Sequence, residues 1–496
     1  LNARSSTRTQ TNAQGHQTHI DRVAGLYVTG NTGTLLASAG GDINLIAAAI
    51  QNQGRGESRI TANNDLHLGT LTQSNRQQIV WDSKNRRSDA SRGDIGSTIQ
   101  TQGNLTLAAG NDLTAQAAHV TSHQGNLLAT AGNKVQLTAG EANVQLDEAH
   151  QHKGRSSAFS RKTITTRDTL DQTTAQATTF SGNSTTVLAG QDLTLRGATL
   201  TATHNLDLWA GRDLKIDAAQ ANHSESHDHK EKKSGLSASL ASGIAYGKAS
   251  AQQNGAFTET RAVASQLDGE NIHLQARRDA SLTGALLLAD RDLRVATGRN
   301  LDILAAHDSA HETFTAKSSS TRLQLLAGGA PRQTGFSKNS ARQQQDSTQD
   351  SAVPAFLSAN AGDLTLLAGI DPQYRDSGQG NLSIEGADLL AGQSAHLQGN
   401  AVHLTAASSH TRHDETEKQK SFTLGAALAG TIGGQITRAY DMVKAAHEGT
   451  GNRRLDTALA LKGGYDAWKA LDSLNSVPPP AAEPPNPKGN GSASGV

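Results

Sequence analysis

A short phrase, Gly-x-Leu/Ile-x-Leu, returns again and again along this 496-residue chain. It reads AGGDINL (39–45), QGNLTLAAGNDLTAQ (102–116), QGNLLATAGNKVQL (124–137), AGQDLTL (189–195), AGRDLKI (210–216), ADRDLRV (289–295), AGDLTLLAG (361–369) and QGNLSIEGADLLAG (379–392). Its spacing is nearly constant. Gly103 to Gly125 is 22 residues, Gly190 to Gly211 is 21, and Ile272 to Leu293 is 21. A fixed period of this size marks a repeat architecture.

Within each unit the apolar residues alternate. Leu105 and Leu107 flank Thr106, Leu193 and Leu195 flank Thr194, and Leu214 and Ile216 flank Lys215. A period of two is the pattern of a strand with one buried face. Gly-Asn, Gly-Asp and Gly-Arg-Asp stand just before these strands and supply turn conformations. The pattern predicts strands of about five residues, with a turn roughly every seven to ten. Helices are excluded, because apolar spacing at i, i+3 and i+4 is missing and Gly, Thr and Asn crowd the units. Parallel strands joined by helices are excluded too, because the gaps are too short for a crossover. A chain that turns after each short strand can instead coil, each coil stacking on the one before, as a parallel β-helix. Composition agrees: hydrophobic residues make up 35% and aromatics only 3%, with a mean hydropathy of −0.51. A narrow solenoid interior takes stacked Leu, Ile, Val and Ala and has little room for rings. The glycines read as turn formers, with no phosphate-binding Gly-rich loop among them.

The coils fall into five blocks, near 25–71, 99–147, 183–218, 267–305 and 357–406, separated by long polar stretches near 72–98, 148–182, 219–266, 306–356 and 407–423. Several of these insertions carry a charged or His-bearing run followed by small alternating apolar residues. HSESHDHKEKKSGLSASLASGIAYGKAS (223–250) and SSHTRHDETEKQKSFTLGAALAGTIGG (408–434) are the clearest. Their Ser/Thr alternation predicts paired extended arms lying along the solenoid or projecting from it. Residues 1–20 read as the tail of an upstream insertion, and 21–434 as the solenoid with its insertions. Apolar residues at helical spacing, such as Ile436, Tyr440, Val443, Leu455, Leu459 and Trp468, predict a helical segment over 435–476. Residues 477–496, which hold six of the nine prolines, read as a disordered Pro/Gly/Ser-rich linker. With no initiating Met, no signal peptide at residue 1 and a linker at its end, the chain reads as part of a larger exported protein, with a further domain beyond it.

Bulk charge bounds the partners. Lys+Arg and Asp+Glu stand at 45 each, a balance that argues against a dedicated nucleic-acid binder. Cysteine is absent, so no disulfide, thiol nucleophile or Cys-ligated zinc is possible. The longest apolar runs, GALLLA (284–289) and LGAALAGTIGG (424–434), fall far short of the ~20 residues of a membrane-spanning helix.

Two sets of residues invite a chemical reading. His223, His227 and His229, with Glu225 and Asp228, have spacing that could hold a transition metal; the plainer reading is a solvated polar segment. Asp42, Asp65, Asp112, Asp192, Asp213, Asp292 and Asp363 recur at the coil turns. They miss the glycine–aspartate nonapeptide by which some β-helices bind calcium and read instead as turn residues making local Asx hydrogen bonds. No acidic or basic cluster breaks the repeat as in carbohydrate-active β-helices, and no hydrolase or metalloprotease motif appears. The sequence therefore nominates no catalytic, cofactor-binding or metal site and no enzyme.

AGGDINL, QGNLTLAAGNDLT, AGQDLTLRGATL and AGRDLKI, alternating with insertions such as KKSGLSASLASGIAYG, resemble the haemagglutinin repeats of the filamentous haemagglutinin family. DRVAGLYVTGNTGTLLASAGGDINLIAAAIQN (21–52) is similar to the start of those repeats, and LDTALALKGGYDAWKALDSLN (455–475) resembles the helical stretch that follows them in exoproteins of two-partner secretion. The resemblance covers roughly 20–475. It implies a right-handed parallel β-helix, secreted and displayed on the bacterial surface. It further implies a structural stalk or delivery module, above all of a contact-dependent growth-inhibition toxin. Its implied partners are an outer-membrane transporter engaged through an upstream domain, a target-cell or host-cell surface, and a C-terminal toxin with its cognate immunity protein. An adhesin binding glycans or proteins through its insertions is the alternative.

Overall fold

A computed structural model describes residues 1–157, 159–239, 243–326, 335–370 and 379–420; the helical segment and Pro-rich linker expected at 435–476 and 477–496 lie outside them. The described chain is a parallel β-helix. Each coil contributes one short strand to each of three parallel sheets, visited in the same order throughout. In one coil these strands are Thr98–Thr101, Leu105–Ala109 and Leu113–Gln116; in the next they are His119–Ser122, Leu127–Ala131 and Val135–Thr138. Successive coils stack in register, with Leu105 on Leu127, Leu193 on Leu214 and Ile272 on Leu293. These pairings are the 21–22-residue period of the sequence.

The alternation has the expected cause. Leu105, Leu107, Leu113 and Ala115 are buried, and the residues between them face outward. Inner side chains form continuous rows, and a single hydrophobic cluster runs from Leu35 to Ile384. Phe180 is the one fully buried aromatic among the described residues, consistent with an interior too narrow for rings.

At one corner the coils alternate in form. Every other coil turns there through a single residue with a left-handed backbone: Ala47 (φ 47°), Ala117 (46°), Gly197 (60°), Gly284 (56°) and Gly386 (60°). In the coils between, the chain leaves the solenoid at that corner and returns as a β-hairpin. The complete hairpins are Ser6–Asn12/Gly15–Arg22, Leu71–Val80/Arg86–Ile95, Gly140–Ser157/Ser160–Gln176, Ala219–Ser239/Gly243–Val263 and Ala306–Leu326/Gly335–Val353, and His410–Lys420 adds one more strand. Returning chains are pinned by a buried hydroxyl. Ser97 Oγ donates to Leu45 O at 2.7 Å, Thr178 Oγ1 to Thr138 O at 2.6 Å, and Ser265 Oγ to Asp217 O at 2.6 Å.

Each hairpin also pairs with the next, so the insertions fuse into one antiparallel sheet of 11 strands. Geometry explains why one hairpin follows every two coils. Strands in a sheet lie about 4.8 Å apart. A hairpin therefore occupies the same width as two coils, and the two assemblies advance in step. Beyond their bases, where Ala219 and Ala306 lie against the corner at Gly197 and Gly284, the hairpin strands pack mainly against one another. Of the two dispositions open from sequence, the arms take the projecting one, as a fin standing out from one corner of the solenoid.

Candidate functional site

The recurring aspartates lie on two corners of the solenoid. On the first, Asp42 Oδ1 accepts Asn64 Nδ2 at 2.7 Å and the Asp65 N–H at 3.2 Å. Asp65 Oδ1 accepts Asn111 Nδ2 at 2.8 Å and the Asp112 N–H at 3.0 Å. Asp112 Oδ1 accepts Asn133 Nδ2 at 2.8 Å and the Lys134 N–H at 3.0 Å. Farther along, arginine takes over the role of asparagine: Arg212 clamps Asp192 through both guanidinium nitrogens, and Arg299 clamps Asp279. On the second corner Asp292 Oδ1 accepts the Asp363 N–H, and Asp363 Oδ1 accepts the Ser394 N–H, both at 3.0 Å. The expectation of local Asx turns is thus corrected. Each of these carboxylates bridges to the next coil, because the rise between coils brings that coil's backbone N–H into reach. Hydrogen bonds from Asn64, Arg212 and Arg299 hold the carboxyls of Asp42, Asp192 and Asp279 below their ordinary value.

The histidine cluster lies in the fin. His223, Glu225, His227 and His229 share one face of Ala219–Ser239, and Asp228 faces the other way, as strand alternation requires. His227 Nδ1 reaches Asp168 Oδ1 of the neighbouring hairpin at 2.9 Å, and His223 Nε2 lies 3.4 Å from Glu225. Among the described residues, no three His, Cys, Asp or Glu side chains converge as a metal would need.

Similar contacts stitch the fin elsewhere. His307 pairs with Asp350 at 2.9 Å, His311 with Asp346 at 3.1 Å, and Arg167 with Asp147 at 3.0 Å. The Arg167 guanidinium holds the Asp147 carboxyl below the usual range. Glu231 accepts from Lys233 and Lys162, which lower its carboxyl likewise. Exposed pairs of this kind contribute about 0–1 kcal/mol each, so they tune hairpin register more than stability. Sequence reasoning missed most of them because the partners are far apart in the chain, whether across one hairpin, as His307 and Asp350, or between two, as Asp168 and His227. Asp168 and His227 are 59 residues apart, and only the strand register shows that they meet.

Depressions in the described surface are shallow and open, and several lie on the fin, as between Thr258, His311, Asp350 and Arg412. The molecule therefore offers a broad polar sheet carried by a rigid rod.

The hemagglutinin-repeat family model matches in four overlapping segments, 80–234, 159–321, 245–375 and 334–464. The chain is 25% identical over 444 residues to a tRNA nuclease CdiA of Escherichia coli (strain STEC_O31), covering 89% of this chain and 12% of the relative. It is 26% identical to a 16S rRNA endonuclease CdiA of Enterobacter cloacae subsp. cloacae, covering 44% and 6%. It is 25% identical to a deoxyribonuclease CdiA of Yersinia pseudotuberculosis serotype O:3, covering 34% and 15%. The chain thus spans only a small part of each of these relatives. No solved structure matches it.

Proposed function

The chain belongs to the hemagglutinin-repeat family, and we propose that it is a stalk and delivery segment of a large secreted exoprotein of the contact-dependent inhibition type, displayed on the bacterial surface. One observation carries this reading. Three relatives named for three different nuclease activities, on tRNA, on 16S rRNA and on DNA, share similarity with the same kind of repeat. A segment common to proteins of different activity does not set that activity. The repeat here is a rod with bridged coils and a polar fin, which supports a non-enzymatic role. The outer-membrane transporter, the target-cell surface, and a toxin with its immunity protein would be partners of the whole exoprotein.

The adhesin reading keeps a place, because the fin is a large exposed surface on a regular scaffold, where binding commonly resides. One experiment separates the two. The full exoprotein is compared with a version lacking residues 25–405, the ten coils and the hairpins between them, and both attachment to target cells and killing are scored. Attachment retained with killing lost supports delivery. Attachment lost makes the repeats the adhesin.

A further inference from the structure

The chain carries no net charge, yet the outer part of its fin gathers cations on one face, where the row next inward holds a single carboxylate, Asp228. Residues paired across antiparallel strands point to the same side, as do residues two apart along a strand. Followed across three hairpins and the strand His410–Lys420, the pairing brings Lys230, Lys317, Arg342 and Lys418 into one row. Two residues farther out, Lys153, Lys232 and Lys420 share a second row. Two farther still, Arg161, Lys248 and Lys338 share a third. The other positions of these rows are Ser, Thr and Gln, and none is acidic. The carboxylates of the same strand segments, Glu231 and Glu417, stand on the opposite face, where Glu231 is neutralised by Lys162 and Lys233. Among the described residues no ion pair engages Lys232, Lys248, Lys317 or Lys418, and all four are exposed.

Beyond the third row the same face turns apolar. Leu236 and Tyr246 are cross-strand partners, 41% and 39% exposed. The Leu236 N–H donates to the carbonyl of Phe159, itself 76% exposed. Bare rings and a leucine at a hairpin end, next to a belt of lysines, form a surface with one part for hydrocarbon and one for anions.

We propose that this face of the fin docks onto an anionic phospholipid surface, with the lysine rows on the headgroup phosphates and the Leu236–Tyr246 row in the headgroup–acyl boundary. Three features favour this occupant over a soluble polyanion. The array is two-dimensional, three rows deep and several strands wide, and so matches a plane of charges better than a line. Eight of its ten cations are lysines, point charges suited to mobile phosphates, whereas nucleic-acid recognition leans on forked arginines and stacking rings. The apolar row has no use against a hydrated polymer. The inference goes beyond the stalk reading and stands equally if the repeats are an adhesin.

The test is flotation of the full chain with vesicles of phosphatidylcholine holding about 30% phosphatidylglycerol, against phosphatidylcholine alone. The expected result is binding to the anionic vesicles only, falling steeply with salt. Combined Lys232→Glu, Lys248→Glu and Lys317→Glu should weaken it by more than about tenfold, since each basic residue adds attraction near such a surface. If that variant does not fold by circular dichroism, Lys317→Glu alone should weaken binding roughly fivefold. Lys162→Gln with Lys233→Gln, on the opposite face, should change it by less than about twofold. Leu236→Ser with Tyr246→Ser should remove the part that survives high salt. Equal binding to both vesicles, indifference to the lysine changes, or capture by heparin or duplex DNA with no vesicle binding would each overturn the proposal.

Discussion

At the scale of single residues, close stacking explains more than turn chemistry does. The glycines before the aspartate corner form a column, with Gly110 on Asn63, Gly132 on Gly110, Gly190 on Gly132 and Gly211 on Gly190. A Cβ at any of them would overlap the carbonyl oxygen of the coil beneath. Gly190→Ala should therefore cost about 1–3 kcal/mol by overpacking, read from the urea midpoint. Gly40, at the first complete coil, has no atom within 4 Å of such a Cβ, so Gly40→Ala should stay within about 0.5 kcal/mol of the parent. The sequence showed that glycine belongs at these corners but assigned it to the turn, because contact with a coil 21 to 58 residues away leaves no local pattern. The same holds for the aspartates. Their cross-coil hydrogen bonds, from Arg212 and Arg299, hold the folded carboxyls of Asp192 and Asp279 below the ordinary aspartate value of 3.8. As pH falls, the unfolded chain takes up protons first. The stabilisation is thus complete well above pH 3.8 and is lost as pH drops from there through the lower folded values. Urea midpoints at pH 6 and pH 3 should differ by less in Asp192→Asn than in the parent.

At the scale of elements, the unit of construction is two coils and one hairpin. Removing residues 178–264 deletes one whole unit and places Ser265 where Thr178 stood, two hydroxyls with the same capping role. The shortened chain should keep its circular dichroism and cooperative melt. Removing 178–197 takes out a single coil and leaves two hairpins with room for one strand between them. The solenoid rows should survive this, and the hairpins should become open to protease. Strands of the solenoid were legible because only one of their faces is wet, which writes an apolar alternation into Leu105–Ala109 and its equivalents. The fin was legible only as long polar arms. Both faces of a strand such as Ser160–Gln176 meet solvent, so no periodic signal records which way each residue points or which neighbour it pairs with.

At the scale of the whole molecule, a rod in which each coil touches only its neighbours has stability that varies along its length. In the last described coil the inward-facing Val402 and Leu404 are 40% and 63% exposed, whereas Leu274 and Val295 of central coils are buried. Amides of 401–405 should exchange with deuterium well before those of 272–276 and 293–297, and equal rates would contradict a neighbour-by-neighbour rod. The hairpins change along the axis as well. The first has strands of 7 and 8 residues, the second 10 and 10, the third 18 and 17, and the fourth 21 and 21. At ~3.4 Å per residue, reach from the corner grows from about 25 Å to about 70 Å. The fin therefore widens from its first hairpin to its fourth, and the fifth, with strands of 21 and 19 residues, keeps nearly that breadth.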